Sequence, residues 1–311
     1  MKRILVVPIA ALALFLPSRS QAAEKPFAGR WDLTITTPKA TYPDWIEYTE
    51  ENGQPHVRIQ PRGGGVQTAS KVEVVGARLS ATILPESGKG PGTTWEVTAD
   101  GDRLTGTLRR GNTVLGQIAG VRSPDLSRPE PKKWSAPVSL FNGKDLSGWE
   151  PFDASKNEWV AEDGVLLNKK HGSNLRTTKT FNDFKLHIEF NCPADGNSGI
   201  YLRGRYEVQV EYEKVDANDR FHSIGSIYGF VPPAVELPRT PGEWESFDIT
   251  LVGRTVTVVR NGKLTIDHQE IPSPTGGALD SRESEPGPIY LQGDHTGGMK
   301  YRNITISVPE D

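Results

Sequence analysis

Residues 181–212 read FNDFKLHIEFNCPADGNSGIYLRGRYEVQVEY. The pattern predicts three strands joined by two tight connections. Leu186, Ile188 and Phe190 alternate with Lys185, His187 and Glu189; Ile200 and Leu202 alternate with Tyr201 and Arg203; Tyr206, Val208 and Val210 alternate with Glu207, Gln209 and Glu211. Side chains on a strand point to opposite faces with period two. One face of the expected sheet is therefore apolar, and the other gathers imidazole, carboxylate, phenol, guanidinium and amide groups. A merely solvated face is richer in Lys, Thr and Ser.

Working outward, the same style of alternation recurs along the chain. WESFDITLVG (244–253) and TVTVVRNGKLTID (255–267) are strand-like, with Asn261-Gly262 as a turn within the second. EWVAEDGVLLNK folds as a hairpin about Asp163-Gly164, PIYLQ precedes Asp294 and His295, and MKYRNITISV closes the chain. Asn-Gly and Asp-Gly tolerate the positive φ that hairpin turns need. About a dozen strands without a long helix imply two packed antiparallel sheets over 138–311. Lys214–Pro241, holding His222 and Tyr228, is a long irregular loop of the kind that forms lids or binding loops. His171 reads as a loop residue with a chance of rimming a pocket, and Trp149 as a core residue.

Residues 24–121 form a separate all-β unit. GRWDLTIT, WIEYTE, HVRIQ, KVEVVG, RLSATIL, TWEVTA, RLTGTLR and VLGQIAGV follow at short intervals, with turns at Asn52-Gly53 and Asp100-Gly101. A small antiparallel barrel or sandwich fits. No catalytic constellation is visible in it. Gly63-Gly64-Gly65 is followed by neither Lys-Ser/Thr nor a helix, so it is no phosphate loop. Trp31, Trp45 and Trp95 read as core rather than as a sugar platform. Residues 122–137 contain four prolines and read as a semi-rigid linker.

The N-terminal 23 residues have the form of a secretory signal: Lys2 and Arg3, an apolar run Ile4–Leu16, then small residues near Ala22/Ala23. The apolar run is too short to span a bilayer and contains Pro8. A periplasmic or secreted protein is expected, with no membrane attachment after signal removal. The formal net charge of -3 gives no support to a nucleic-acid partner. The single cysteine, Cys192, forbids an intrachain disulfide and reads as a half-buried strand-end residue.

Four segments occur in order: LFNGKDLSGW (140–149), the NSGIYLRGRYEVQV run, GSIYG (225–229) and LQGDHTGGMKYRNI (291–304). Over about 137–308 the chain closely resembles the 3-keto-disaccharide hydrolase family. The resemblance implies a concanavalin-like jelly roll whose concave sheet carries the site. It also implies a glycoside substrate already oxidised to a ketone at carbon 3, supplied by a sugar 3-oxidoreductase. A base would remove the proton on carbon 2, the enolate would expel the group on carbon 1, and water would add back.

On that resemblance the catalytic candidates are Glu207, His295 and Glu189. Arg203, Gln209, Tyr228, Tyr290 and Gln292 are the substrate-binding candidates. One divalent metal ion, held by Glu207, Glu189, His187 and His295, is the candidate electrophile. Glu211, near its strand end, is expected to be solvated. Two other readings stand beside this one. A non-catalytic, lectin-like binding module would need no cluster of Glu, His and Arg. An ordinary glycosidase is suggested because Glu207-Gln209-Glu211 resembles the acidic strand of laminarinase-like enzymes, but residues two steps apart exceed the about 5–5.5 Å that retention requires.

Overall fold

The computed structural model describes residues 26–87, 89–213 and 219–310. The expected signal segment lies outside them, as does the start of the 214–241 loop. No helix among the described residues is long and apolar enough to cross a membrane.

The N-terminal unit is built from β1 (Gly29–Thr36), β2 (Thr41–Glu51), β3 (Gln54–Gln60), β4 (Gln67–Thr68), β5 (Lys71–Val75), β6 (Arg78–Ile83), β7 (Thr93–Asp100), β8 (Arg103–Arg110) and β9 (Thr113–Arg122). They form one antiparallel sheet in the order β4-β3-β2-β1-β9-β8-β7-β6-β5. Its two ends meet through a single extended segment. β4 pairs with β3 and β5 with β6, while between them Ala69 N–H donates to Val57 O (2.8 Å) and Ser70 N–H to Thr82 O (2.7 Å). The meander therefore closes into a barrel, which removes the exposed strand edges. Alternate residues fill its interior, among them Trp31, Leu33, Ile35, Ile46, Val57, Ile59, Trp95, Val97 and Ile118. Trp31 and Trp95 are core, as the pattern predicts, and their indole N–H groups are satisfied by Phe27 O and Asp44 Oδ2.

The C-terminal unit is a two-sheet sandwich. The larger sheet holds β10 (Val138–Ser139), β12 (Trp159–Glu162), β13 (Val165–Asn168), β15 (Phe184–Asn191), β18 (Trp244–Val252), β19 (Thr255–Arg260), β20 (Lys263–Glu270) and β22 (Met299–Ser307). Its order is β12-β13-β22-β15-β18-β19-β20, with β10 against β22. The smaller sheet runs β11 (Trp149–Pro151), β14 (Leu175–Thr177), β21 (Tyr290–Leu291), β16 (Asn197–Leu202), β17 (Tyr206–Glu211). Leu186, Ile188, Phe190, Phe247, Ile249 and Val258 from one sheet share a single core with Ile200, Leu202, Val208, Val210 and Leu291 from the other.

This pairing corrects one expectation. β15 does not lie beside β16 and β17; residues 192–196 carry the chain from the larger sheet to the smaller. Both apolar faces do point into the core. The two polar faces therefore end on opposite outer surfaces of the sandwich. Cys192, at the crossover, is fully buried rather than half-buried, and burial pushes its thiol up to about 12.

Barrel and sandwich meet over a polar seam. Arg30 Nη1 reaches Glu270 Oε1 (2.6 Å), Thr34 Oγ1 pairs with Ser281 Oγ (2.8 Å), and Arg254 donates to Pro124 O (2.9 Å). Buried Asp32 of β1 faces buried Glu283, which pairs with Arg254 at 3.1 Å. Trp45 leaves the barrel core and meets Phe230 edge-on, 5.7 Å between centroids.

Candidate active site

The outer face of the smaller sheet is the floor of a cavity of about 640 Å³. Register builds it in two rows. Tyr201 opposes Glu207 on one side and Tyr290 on the other, so three polar side chains line up across β17, β16 and β21. In the next row Gly199 opposes Gln209, and its carbonyl accepts from Gln292 N–H at 2.9 Å. Gly199 has no side chain, and a Cβ there would overlap Glu207 Oε1. The glycine thus leaves the space in which the Glu207 carboxylate rests.

The walls come from loops: Phe152, Asp153 and Lys156; His171 to Asn174; Tyr228; Gly276 to Leu279; and Asp294 with His295. One wall belongs to the barrel, through Thr41, Tyr42, Pro43, Arg62 and Gly63. Two sandwich glycines, Gly229 and Gly276, make that approach to the Gly63-Gly64-Gly65 run possible. Gly63 N–H donates to Gly276 O at 2.8 Å. A Cβ at Gly276 would come within 2.5 Å of Gly64 O, and one at Gly229 within 3.1 Å of Gly65 Cα. The triple glycine is a contact between backbones of the two units.

Glu207 is 4 % exposed. Burial pushes its carboxyl up to about 7, against a hydrogen bond from Tyr201 and the nearby His295 charge; Asp294 adds to the rise. Burial also holds the Tyr201 and Tyr290 phenols well above their ordinary value. Their rings stack at 3.9 Å and 12°, and Tyr290 Oη donates to Gly277 O at 2.5 Å. His295 is raised, first by its hydrogen bond to Asp294, against burial, and further by the charges of Asp294 and Glu207. Burial alone would raise Asp294, but the bonds from His295, its own backbone and Asn174 bring it below the ordinary carboxylate range. His171 Nδ1 donates to His295 O at 3.1 Å, which holds the two histidine loops together. Gln292 Oε1 is buried with no hydrogen-bond partner among the described residues. An unpaired buried acceptor is costly, so a donor on a bound molecule is its natural partner.

Of the residues picked out from sequence, Glu207, His295, Gln209, Tyr228, Tyr290 and Gln292 all line this cavity, and His171 rims it. Three others are elsewhere. His187 and Glu189 lie on the outer face of the larger sheet, across the core from Glu207. His187 Nδ1 pairs with Asp248 at 2.7 Å. Glu189 accepts from Arg302 (2.6 Å) and Asn303 (2.7 Å). Alternation assigns a side chain to a face but not a strand to a sheet. Arg203 fails for a different reason. With Gly204 it makes a turn in which both φ values are positive, 51° and 67°, closed by Arg205 N–H to Leu202 O. Outside the strand the alternation no longer applies. Arg203 is 1 % exposed and donates to Tyr206 Oη at 2.8 Å, joining the network that runs through Glu283 to the seam. Glu211 is also buried, not solvated, beside Arg239 at 3.3 Å.

The expected metal set of Glu207, Glu189, His187 and His295 is therefore split between two surfaces. Among the described residues no three His, Cys, Asp or Glu side chains are placed to hold a metal ion, so the donors do not fit one. Asp294, signalled only by its place beside His295, and Tyr201, signalled by its alternation onto the face of Glu207, join the site beyond the expected set. Tyr42 and Arg62 gave no signal at all, because only the tertiary contact brings the barrel to the cavity.

The floor can hold a sugar between hydrogen-bonding amides and phenols, present a carboxyl shifted up to about 7, and place beside it an imidazole whose hold on its proton Asp294 strengthens. The model of the 3-keto-alpha-glucoside-1,2-lyase-like domain matches residues 136–307. A 3-keto-disaccharide hydrolase of Bacteroides thetaiotaomicron is 22% identical over 278 residues, covering 68% of this chain and 93% of that protein. A crystal structure of a candidate glycosyl hydrolase from Parabacteroides distasonis is 32% identical, with a TM-score of 0.48, covering 59% of this chain and 94% of that one. Another from the same organism is 25% identical, with a TM-score of 0.44 and coverage of 57% and 100%.

Proposed function

The chain belongs to the 3-keto-alpha-glucoside-1,2-lyase-like family, and from that premise we propose that it cleaves 3-keto-glycosides by elimination followed by addition of water. The observation that carries the proposal is Glu207: a buried carboxyl tuned to about 7 on a cavity floor of phenols and amides. A base works best when its pKa is close to the working pH. Glu207 takes the proton from carbon 2 of the sugar, acidified by the neighbouring ketone. The electron pair left on carbon 2 forms the double bond to carbon 1, and the bond from carbon 1 to the leaving oxygen breaks. His295, whose hold on its proton Asp294 strengthens, gives that proton to the leaving oxygen. Water then adds across the double bond, its proton returning to carbon 2 and its hydroxyl joining carbon 1. Gln292 Oε1 accepts from a sugar hydroxyl, and Gln209 and Tyr228 hold others.

Residues 1–23 support export, so we place the reaction in the periplasm or outside the cell. An oxidoreductase that makes the 3-ketone must act before it. The test is incubation of the purified protein with a 3-keto-disaccharide, following release of free sugar, beside Glu207→Gln. Release by the wild type and its loss in the variant are expected. Turnover of an unoxidised nitrophenyl glucoside instead would support an ordinary glycosidase. Binding of sugar without release from either would support a lectin.

A further inference from the structure

We infer that the barrel completes the active site, and that Tyr42 and Arg62 form the subsite for the second ring of a two-ring substrate. The inference rests on the reading of Glu207 as the place where the 3-keto ring reacts. It concerns residues outside the 136–307 span of the family model.

Volume is the first support. At about 640 Å³ the cavity sits in the middle of the about 300–1,000 Å³ range of ligand pockets, with more room than one sugar ring fills. The floor around Glu207 takes one ring, and the remaining space extends to the barrel wall.

The chemistry of that wall is the second. Tyr42 is only partly buried, and the Arg62 guanidinium lies over its ring at 4.8 Å from the centroid. Arg62 makes no ion pair with the described residues, so its donors are available to hydroxyls. On the sandwich side the rim carries another exposed aromatic ring, Phe152, 39 % exposed and set edge-on to Tyr290 at 5.2 Å. Flat apolar faces with a few fixed polar groups are what a sugar ring needs on binding.

Rigidity is the third. The loop that carries Arg62 is tied to the sandwich through Gly63 and Gly276, and internally by Gln60, which donates to Pro61 O (2.8 Å) and to Gly64 O. A wall held this way is preorganised, so little ordering is lost when a ring docks.

The experiment compares kcat/KM for a 3-keto-disaccharide and for methyl 3-keto-glucoside in the wild type, Tyr42→Leu, Arg62→Ala and Tyr42→Phe. The expected result is a fall of about 3- to 10-fold in the two-ring to one-ring ratio for Tyr42→Leu and Arg62→Ala, the effect of one aromatic or cationic contact. Tyr42→Phe keeps the stacking face and should keep most of the ratio. Thermal melting confirms that each variant is folded; Arg62, on an exposed loop, is the safer of the two. An unchanged ratio in folded Tyr42→Leu and Arg62→Ala overturns the inference. Should the wild type turn over neither 3-keto substrate, the reaction reading fails, and calorimetry with the unoxidised disaccharide decides the subsite separately. Weaker disaccharide binding in Tyr42→Leu then upholds it, and equal binding refutes it.

Discussion

Removing one oxygen from Tyr201 should move the pH dependence of the reaction without touching the fold. The Tyr201 hydroxyl donates to the Glu207 carboxylate, and this bond is what opposes the rise caused by burial. It favours the ionised form alone. A hydrogen bond to a charged group contributes about 1.5–3 kcal/mol, and one pH unit is equivalent to about 1.4 kcal/mol. Tyr201→Phe should therefore carry the acid limb of kcat/KM upward by roughly one to two pH units from its position near 7. At pH 7 about half of the wild-type Glu207 is ionised; in the variant roughly a tenth to a hundredth would be. Activity at pH 7 should drop about 5- to 50-fold, and the deficit relative to the wild type at the same pH should shrink as the pH rises toward 9. The phenyl ring still stacks on Tyr290, so melting should change little. The assay is kcat/KM between pH 5 and 9.5 on a 3-keto-disaccharide. An acid limb that stays in place, or a loss equal at every pH, would refute the role assigned to the Tyr201–Glu207 pair.

Other outcomes follow from the same geometry. Glu207 is raised from 4.5 to about 7, so its contribution to stability is complete below its ordinary range and is lost as pH rises through about 7. Glu207→Gln should abolish turnover yet gain up to about 3 kcal/mol over the wild type at pH 8, with little gain at pH 4.5; unfolding at the two pH values decides this, and an equal effect at both is the contrary result. His187→Ala and Glu189→Ala, on the opposite outer face, should leave kcat/KM within about twofold and cost at most about 1 kcal/mol each, since both side chains are partly exposed in surface pairs; a hundredfold loss of activity would return them to the site. Asp32 is raised by burial and by the facing Glu283, against Ser123 and Arg254. Its carboxyl thus favours the fold when protonated, and that contribution fades as pH climbs into the alkaline range. Asp32→Asn should melt above the wild type at pH 9.5 and lose that advantage at pH 5, which parallel melting curves would contradict.

Local order was written plainly in the chain. Strand positions follow from alternation, and turns from Asn-Gly and Asp-Gly pairs. Glu207, Gln209, Tyr290 and Gln292 could be assigned to one face because a strand's period of two is set by backbone stereochemistry and needs no neighbours. What the period does not contain is partnership. Whether β15 pairs with β16 or crosses to the other sheet depends on which long-range ladder satisfies its hydrogen bonds and core face best, and the crossing carried His187 and Glu189 to the far side of the sandwich. Arg203 was lost to a positive-φ turn that only the closed hairpin imposes. The barrel wall is the furthest from the sequence: Arg62 and Glu207 are far apart in the chain, and they share a cavity because Gly229 and Gly276 let the sandwich backbone touch that of residues 63–65.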